Sequence, residues 1–447
     1  MTLTIDTNGL LRELDHLASL TDCSPADASL PAPARAVTRI VFTPRDLEAR
    51  AWLVLIAQES GFETRVDAVG NTFIRWQGSE PALPAVGTGS HTDAIPHAGM
   101  YDGTVGVLGG LEAMRSMKES GFRPRRSIEL LMFTSEEPTR FGIGCLGSRL
   151  LGGVLDPAKA DALPDRLAET DPTAATGLTL ESVRTAAGFS GQLSDVKLRA
   201  DYYHAWVELH IEQGPLLERE GIASQPPKTI LGIVTHIAAP ASYRFTIEGF
   251  GGHAGALLMP DRRDALCAAA EIILSVERHT LAANVAAKDE GKSGVDSVAT
   301  VGTVQVHPGA VNSVPSRVIL MLDIRDTDVA RRDGTMAALR SDIREIETRR
   351  GVRVTEDLIN ADVPAISDPH VLTTVEQVCE AEGIPFRRMV SRAYHDSSFM
   401  AAIAPVAMVF IPCRAGVSHR PDEYATPEAV ALGTRVLALT LARLASE

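Results

Sequence analysis

Histidines and carboxylates recur along this chain at spacings that suit metal-ion chemistry. In His91-Thr92-Asp93 the two-residue spacing lets the imidazole take a metal while the aspartate orients it. Asp102 follows in a Tyr-Asp-Gly turn at the mouth of a predicted helix, and Glu136 and Glu137 stand side by side directly after an apolar run. His210 lies on a predicted strand with Glu208 and Glu212 as alternate neighbours, and Tyr394-His395-Asp396 repeats a His-Asp pairing late in the chain. Each has a plainer reading when taken alone. A single histidine is more often a hydrogen-bonded structural residue than a ligand, and a Glu-Glu pair before Pro138 suits the first turn of a helix. Their joint occurrence after strands favours a metal site. Its nitrogen and oxygen donors do not select among zinc, manganese, cobalt and nickel.

The elements that must position these residues alternate between helix and strand. Thr43 reads as a helix N-cap with Pro44 at the first helical position, and that helix stops at Gly61. Strands are predicted at 63–69 and 72–76 around a Gly70-Asn71 turn, at 85–88, at 127–134 and at 206–211, with a helix running from Asp102-Gly103 to Ser120. This is the grammar of an α/β sheet, whose sites gather at the carboxyl ends of strands. Residues 156–201 read as weakly ordered helices and loops. From about 240 the order becomes strand (243–247), helix (261–279), two strands (298–307, 318–324), helix (331–350) and strand (352–357). That order predicts a ferredoxin-like, open-faced α+β sandwich inserted into the first domain. The expected division is 1–239 and 359–447 for the catalytic domain and 240–358 for the insertion.

Composition narrows the partners. Lys+Arg 43 against Asp+Glu 57 gives a formal net charge of −14, the wrong sign for nucleic acid or an anionic membrane. Five scattered cysteines without CxxC spacing fit free thiols in a reducing compartment. Met1 to Asp6 shows no basic segment leading into an apolar one, and no uncharged apolar run of about 18 residues is evident. The expectation is a cytoplasmic globular protein that binds neither nucleic acid nor membrane.

The stretches GSHTDAIPHAGMYDG, FTSEEPTRFG, ELHIEQGP, GGHAG, LDIRD and SRAYHDS, in this order, resemble the hydantoinase/carbamoylase family of binuclear metallo-amidohydrolases. That family lies within the metallo-aminoacylase and carboxypeptidase superfamily, and the resemblance runs from about residue 40 onward. It implies a metallopeptidase-like α/β catalytic domain with an inserted lid and dimerisation domain. His91 and His210 would bind one metal, Glu137 and His395 the other, and Asp102 would join both. Glu136, not a ligand, would be the general base, with Asp93 supporting His91. Two divalent ions, manganese foremost, would polarise the carbonyl under attack and lower the pKa of water toward ~7, so that a glutamate suffices to take its proton.

The resemblance also assigns substrate contacts. Arg325 would fork a substrate carboxylate, although a plain ion pair with Asp323 or Asp326 is the commoner fate of such an arginine. Asn312, Gln213 and His419 would add polar contacts. His253, between glycines, would reach the partner subunit's active site in a homodimer and steady the tetrahedral intermediate. The remaining histidines, among them His16, His204, His279 and His370, are expected to be structural. Tyr394 before His395, and Ala256-Leu257-Leu258 after the GGHAG histidine, depart from the carbamoylase pattern and resemble ureidoglycolate-cleaving members. A small ureido acid is therefore implied, with N-carbamoyl-L-amino acids and allantoate as alternatives. A catalytically dead scaffold would have lost the base or a ligand, and all are present. A metallopeptidase is disfavoured by the HIEQG stretch.

Overall fold

The computed structural model describes residues 3–23, 35–171, 173–292 and 297–447. The chain folds as two compact units, one of residues 1–235, 366–389 and 395–447, the other of 236–365 and 390–394.

Among the described residues the larger unit carries a nine-stranded sheet. Its centre is four parallel strands in the order Val406–Ile411, Tyr203–Ile211, Ala85–His91 and Ile128–Phe133. These strands are buried almost throughout, as parallel strands covered on both faces must be. Antiparallel strands flank them, Leu231–Ile237 on one side and the hairpin of Glu63–Val66 and Thr72–Trp76 on the other. Helices Thr104–Glu119 and Pro427–Ser446 cover one face, packing Val105, Leu108, Leu437 and Leu441 on Val207, Leu209 and Val409. The opposite face is filled by Phe133, Phe141, Leu146, Leu150, Trp206 and Met400.

One difference from the sequence reading in this unit has a plain cause. A helix at Thr7–Ser19, N-capped by Asp6, buries Leu10, Leu14 and Leu17 at helical spacing, a pattern the reading passed over. Helix Pro427–Ser446 is long and apolar enough by length and composition to cross a membrane, although Glu428, Arg435 and Arg443 keep it from being an uncharged run. That helix is 67% buried within the fold over its most apolar window, so it behaves as the core helix its packing makes it.

Among the described residues the smaller unit has a four-stranded antiparallel sheet in the order Val298–His307, Arg317–Asp326, Ala239–Glu248 and Arg353–Ala361. Helices Ala265–Asp289 and Val329–Arg350 share a core with one face of it. Val318, Leu320, Leu322 and Ile324 point from alternate positions toward Ala268, Ile272, Val276, Leu339 and Ile343. The first helix runs ten residues beyond its predicted end, because 280–288 is rich in alanine, the strongest helix former. His279, expected to be structural, spends its Nε2 on Asp342 at 2.7 Å.

Candidate metal centre

The chemistry converges at the carboxyl ends of the central strands of the larger unit. Strand Ala85–His91 ends on His91, Ile128–Phe133 runs into Glu136-Glu137, and Tyr203–Ile211 carries His210 near its end. Strand Val406–Ile411 leads into the loop that bears His419. Three trios place potential ligand atoms within 4.8 Å of one another: His91 with Asp102 and His210; Asp102 with Glu137 and His419; and Glu208 with His210 and His395.

Both central histidines are aimed by backbone. His91 Nδ1 lies 3.0 Å from the Asp93 carbonyl oxygen and His210 Nδ1 lies 2.9 Å from that of Ile211. These contacts orient both rings and turn each Nε2 inward toward Asp102, where a metal would take the place of a proton. Asp102 sits between the groups. Its Oδ1 is 3.1 Å from His210 Nε2 and 3.9 Å from His91 Nε2, while its Oδ2 is 3.1 Å from His419 Nε2. One carboxylate thus offers its two oxygens to two different trios. Gly103, at φ 65°, permits this approach: a Cβ there would lie 2.4 Å from the His91 ring.

Asp93 grips the neighbouring loop, its two oxygens accepting the backbone N–H groups of Glu136 at 3.2 Å and Glu137 at 3.0 Å. Glu136 then holds one carboxylate oxygen 3.8 Å from His91 Nε2, and its other oxygen accepts from the Cys145 thiol at 3.3 Å. Ser135, Cys145, Gln213 and His419 all have left-handed backbone, φ 54–58°. Non-glycine residues held there cost about 1–3 kcal/mol each and gather at functional sites.

Electrostatics favour a cation at this place. Burial pushes Glu136 well above the usual carboxylate range, and Glu137, Asp93 and Asp102 push it further. Burial likewise raises Glu137, reinforced by Asp102 and Asp93. Asp102 is the exception. Burial would raise it, yet hydrogen bonds from His210 and His419 hold it well below its ordinary value. His210 shows the reciprocal effect, burial opposing protonation and Asp102 bringing it up to about 9. Gln213 Oε1 and Asp396 Oδ2 are buried without a hydrogen-bond partner among the described residues. Clustered buried carboxylates, inward imidazole nitrogens and a set of purely nitrogen and oxygen donors fit divalent transition ions.

The larger unit therefore brings together His91, Asp93, Asp102, Glu136, Glu137, His210 and His419. Gln213 joins them, its amide nitrogen 2.8 Å from Asp102 Oδ2. The expected partnership of Glu137 with His395 is not among the closest groups of the described residues. His395 lies beside His210, ring centroids 4.5 Å apart, and in a trio with Glu208. Glu208 Oε2 in turn accepts from the Ser397 backbone and hydroxyl, which ties the loop after His395 to the His210 strand.

His253, Asn312, Arg325 and Tyr394 belong to the smaller unit. There Ala254 N–H donates to the Asn312 carbonyl at 2.9 Å and strand Gly252–His253 pairs with Ser313–Val314, so His253 and Asn312 are neighbours. Arg325 is engaged by Asp323 through Nε at 2.7 Å and Nη2 at 3.3 Å, the ion pair weighed as its commoner fate.

Sequence reasoning missed two further residues. Arg39, fully buried, donates from Nε to the Thr92 carbonyl between His91 and Asp93, and from Nη1 to Leu17 and Leu20. Glu423 accepts from the backbone of Tyr101 and Asp102. Arg39 ends the short strand Val37–Arg39 and Glu423 lies in a loop, but neither carries a recognisable motif, and only a buried position for a charged side chain marks them.

Residues 87–443 match peptidase family M20/M25/M40, and the chain belongs to that family. It is 48% identical over 445 residues to a ureidoglycolate hydrolase of Oryza sativa subsp. japonica, covering 98% of this chain and 85% of that one. To an N-carbamoyl-L-amino acid amidohydrolase of Geobacillus stearothermophilus it is 36% identical over 414 residues, covering 92% and 94%. The crystal structure of AtUAH in complex with glyoxylate matches with a TM-score of 0.83 and 44% identity, covering 100% of this chain and 99% of that one. The kinship read from the motifs, with hydantoinase/carbamoylase amidohydrolases, is borne out.

Proposed function

We propose that the chain is a metal-dependent amidohydrolase that cleaves the ureido C–N bond of ureidoglycolate. The observation that carries this reading is the pair of roles in adjacent positions: Asp102 shared between two donor trios, and Glu136 facing them. The high identity to a ureidoglycolate hydrolase over nearly the whole chain supports the substrate.

His91, Asp102 and His210 would hold one divalent ion, and Asp102, Glu137 and His395 a second; manganese is favoured by the resemblance to ureidoglycolate-cleaving members, since the donor set itself does not choose. When bound, such ions polarise the ureido carbonyl and make water acidic enough to attack at neutral pH. Glu136 takes the proton of the attacking water and delivers it to the departing nitrogen, which leaves as ammonia. The carbamate that remains loses carbon dioxide, and the resulting amino alcohol releases a second ammonia to give glyoxylate. One water is consumed for two ammonia, one carbon dioxide and one glyoxylate. Glyoxylate is the molecule bound in the matching crystal structure.

Gln213 and His419, both within hydrogen-bond distance of Asp102, would contact substrate. Asn312 and Arg325 would take its carboxylate, with Asp323 fixing the guanidinium plane. Tyr394 would fill the pocket beside a substrate hydroxyl. His253, exposed on the smaller unit, would serve the active site of a second copy. Support for a homodimer comes from that unit. Its helix Ala265–Asp289 exposes Leu274, Leu281 and Val285 at 60–62%, next in sequence to the edge strand Val298–His307. Five free cysteines accord with the cytoplasm.

Ammonia release from ureidoglycolate, allantoate, N-carbamoyl-alanine and a dipeptide, after reloading with manganese or zinc, tests the reading. Turnover of ureidoglycolate above the others is expected. Preference for the carbamoyl amino acid moves the substrate assignment to the carbamoylases, and preference for the dipeptide replaces the amidohydrolase reading with a peptidase.

A further inference from the structure

Glu423 lies 321 residues from Asp102 along the chain, is 1% exposed, and belongs to none of the donor trios. Its carboxylate is nonetheless fully engaged at the centre. Oε1 accepts the backbone N–H groups of Tyr101 at 2.9 Å and Asp102 at 3.0 Å. Oε2 lies 3.0 Å from Ser418 Oγ, and the same hydroxyl is 3.2 Å from Asp102 Oδ2 and accepts from the Gln213 amide at 3.1 Å. The Ser418 proton serves one carboxylate at a time, so Glu423 and Asp102 share it. The packing is close: a Cβ on Gly99 would come within 2.4 Å of Glu423 Cβ, so residues 99–103 close directly over this side chain.

A second buried carboxylate beside Asp102 is an unfavourable place for charge unless its geometry is needed. What it supplies is an acceptor for two consecutive peptide N–H groups just before helix Thr104–Glu119, where no intrahelical partner exists for them. Holding both peptides fixes the direction in which Asp102 leaves the backbone. Through Ser418 it also sets the loop that carries His419, the next residue.

We propose that Glu423 is a positioning residue, which holds the Tyr101-Asp102 peptides so that Asp102 presents its oxygens to the two trios. This rests on the metal-centre reading of Asp102, but its test needs no substrate. Two conservative variants separate geometry from charge. Glu423→Gln keeps an acceptor in place and removes the charge, whereas Glu423→Asp keeps the charge and withdraws the acceptor by one methylene.

Manganese affinity, measured on metal-depleted full-length protein by competition with a chelator, is expected to fall about tenfold or more in E423D and about threefold or less in E423Q. Hydrogen exchange at the Tyr101 and Asp102 amides in the metal-free protein should quicken in E423D and stay near wild type in E423Q. The reverse order of the two variants, or wild-type affinity and protection in E423D, overturns the proposal. Ser418→Ala, expected to weaken manganese binding while leaving those two amides protected, tests the link to His419. Unchanged affinity there removes that link. An enzyme inactive on ureido acids but showing this pattern would refute the substrate assignment and leave the role of Glu423 standing.

Discussion

Asp342 and Glu271 in the smaller unit, like Asp102 and Glu137 in the larger, are carboxylates facing more than one polar group. Asp342 takes Ser275, Arg278 and His279, and Glu271 takes Arg349 and Arg350. These clusters join the two helices, lie at the rim and bring their own permanent cations. In the larger unit Asp102 and Glu137 are buried, and their partners are histidines, Gln213 and Ser418 rather than arginine or lysine. A self-balanced cluster at the rim yields modest stability. A buried cluster with too little positive charge is tolerable when something else supplies it.

Removing divalent ions should therefore break the symmetry between the units most visibly. Turnover is expected to fall at least about a thousandfold on chelation and to return on reloading, because the ions supply both carbonyl polarisation and an acidic water. Stability should fall by about 4 kcal/mol if the ions had been present near a thousand times Kd. Exchange rates should rise along Ala85–His91 and Tyr203–Ile211 and hold steady along Arg317–Asp326. Equal loosening of both sheets would mean that the larger unit's charges are balanced without ions.

Next in size is Glu136→Gln. Loss of the proposed general base should lower kcat by roughly 10²–10⁴-fold, with manganese content unchanged. Thermal stability of the metal-free protein should stay level or rise, since without ions burial and its neighbours disfavour this carboxylate as an anion. A kcat near wild type removes Glu136 from the mechanism. A third and smaller effect concerns the smaller unit alone. Leu281→Asp, on the exposed stripe of its first helix, is expected to turn the proposed dimer into a monomer in light scattering, with a lower kcat if His253 serves the other copy. A variant that stays dimeric places the interface elsewhere.

The two units also differed in how far they could be read from sequence. In the smaller, period-two burial along Arg317–Asp326 and the order of elements reveal an open-faced sheet, because local pattern decides which face is covered. In the larger, the motifs pointed to His91, Asp102, Glu136, Glu137 and His210, each at or soon after a strand that delivers it. Arg39 and Glu423 stayed hidden because their function lies in backbone groups far along the chain, Thr92 for one and Tyr101-Asp102 for the other. Such partners leave no local signature. The placing of His395 against Glu208 and His210 was equally out of reach, since it depends on how the Ser397 turn docks on another strand. The extra turns of helix Ala265–Asp289 were legible in principle from alanine content, but the reading stopped at His279.

The subtlest test asks whether acid acts on the two units with opposite sign. Two arginines hold Glu271 down at about 2, from an ordinary 4.5. A carboxylate whose folded value is depressed contributes its full stability above 4.5 and loses it as pH falls toward 2. The arginines stay charged throughout, so only the carboxylate titrates. Glu271 and Arg350 are partly exposed and Arg349 more so, and solvent screening limits the contribution to about 0.5–1 kcal/mol at pH 7. Glu271→Gln should cost that amount at pH 7, less at pH 3.5, and nothing near pH 2. In the larger unit Asp67 is raised by burial from 3.8 to about 6, despite hydrogen bonds from Asn71 and Val69. Its contribution is therefore complete below 3.8 and is lost as pH rises through 6. Hydrogen exchange of the wild-type protein between pH 6.5 and 3.5, corrected for intrinsic rates, should show the Asp67 turn tightening while the helix pair joined by Glu271 loosens. Parallel responses would mean that the contrast between balanced and unbalanced carboxylates stops at the metal centre.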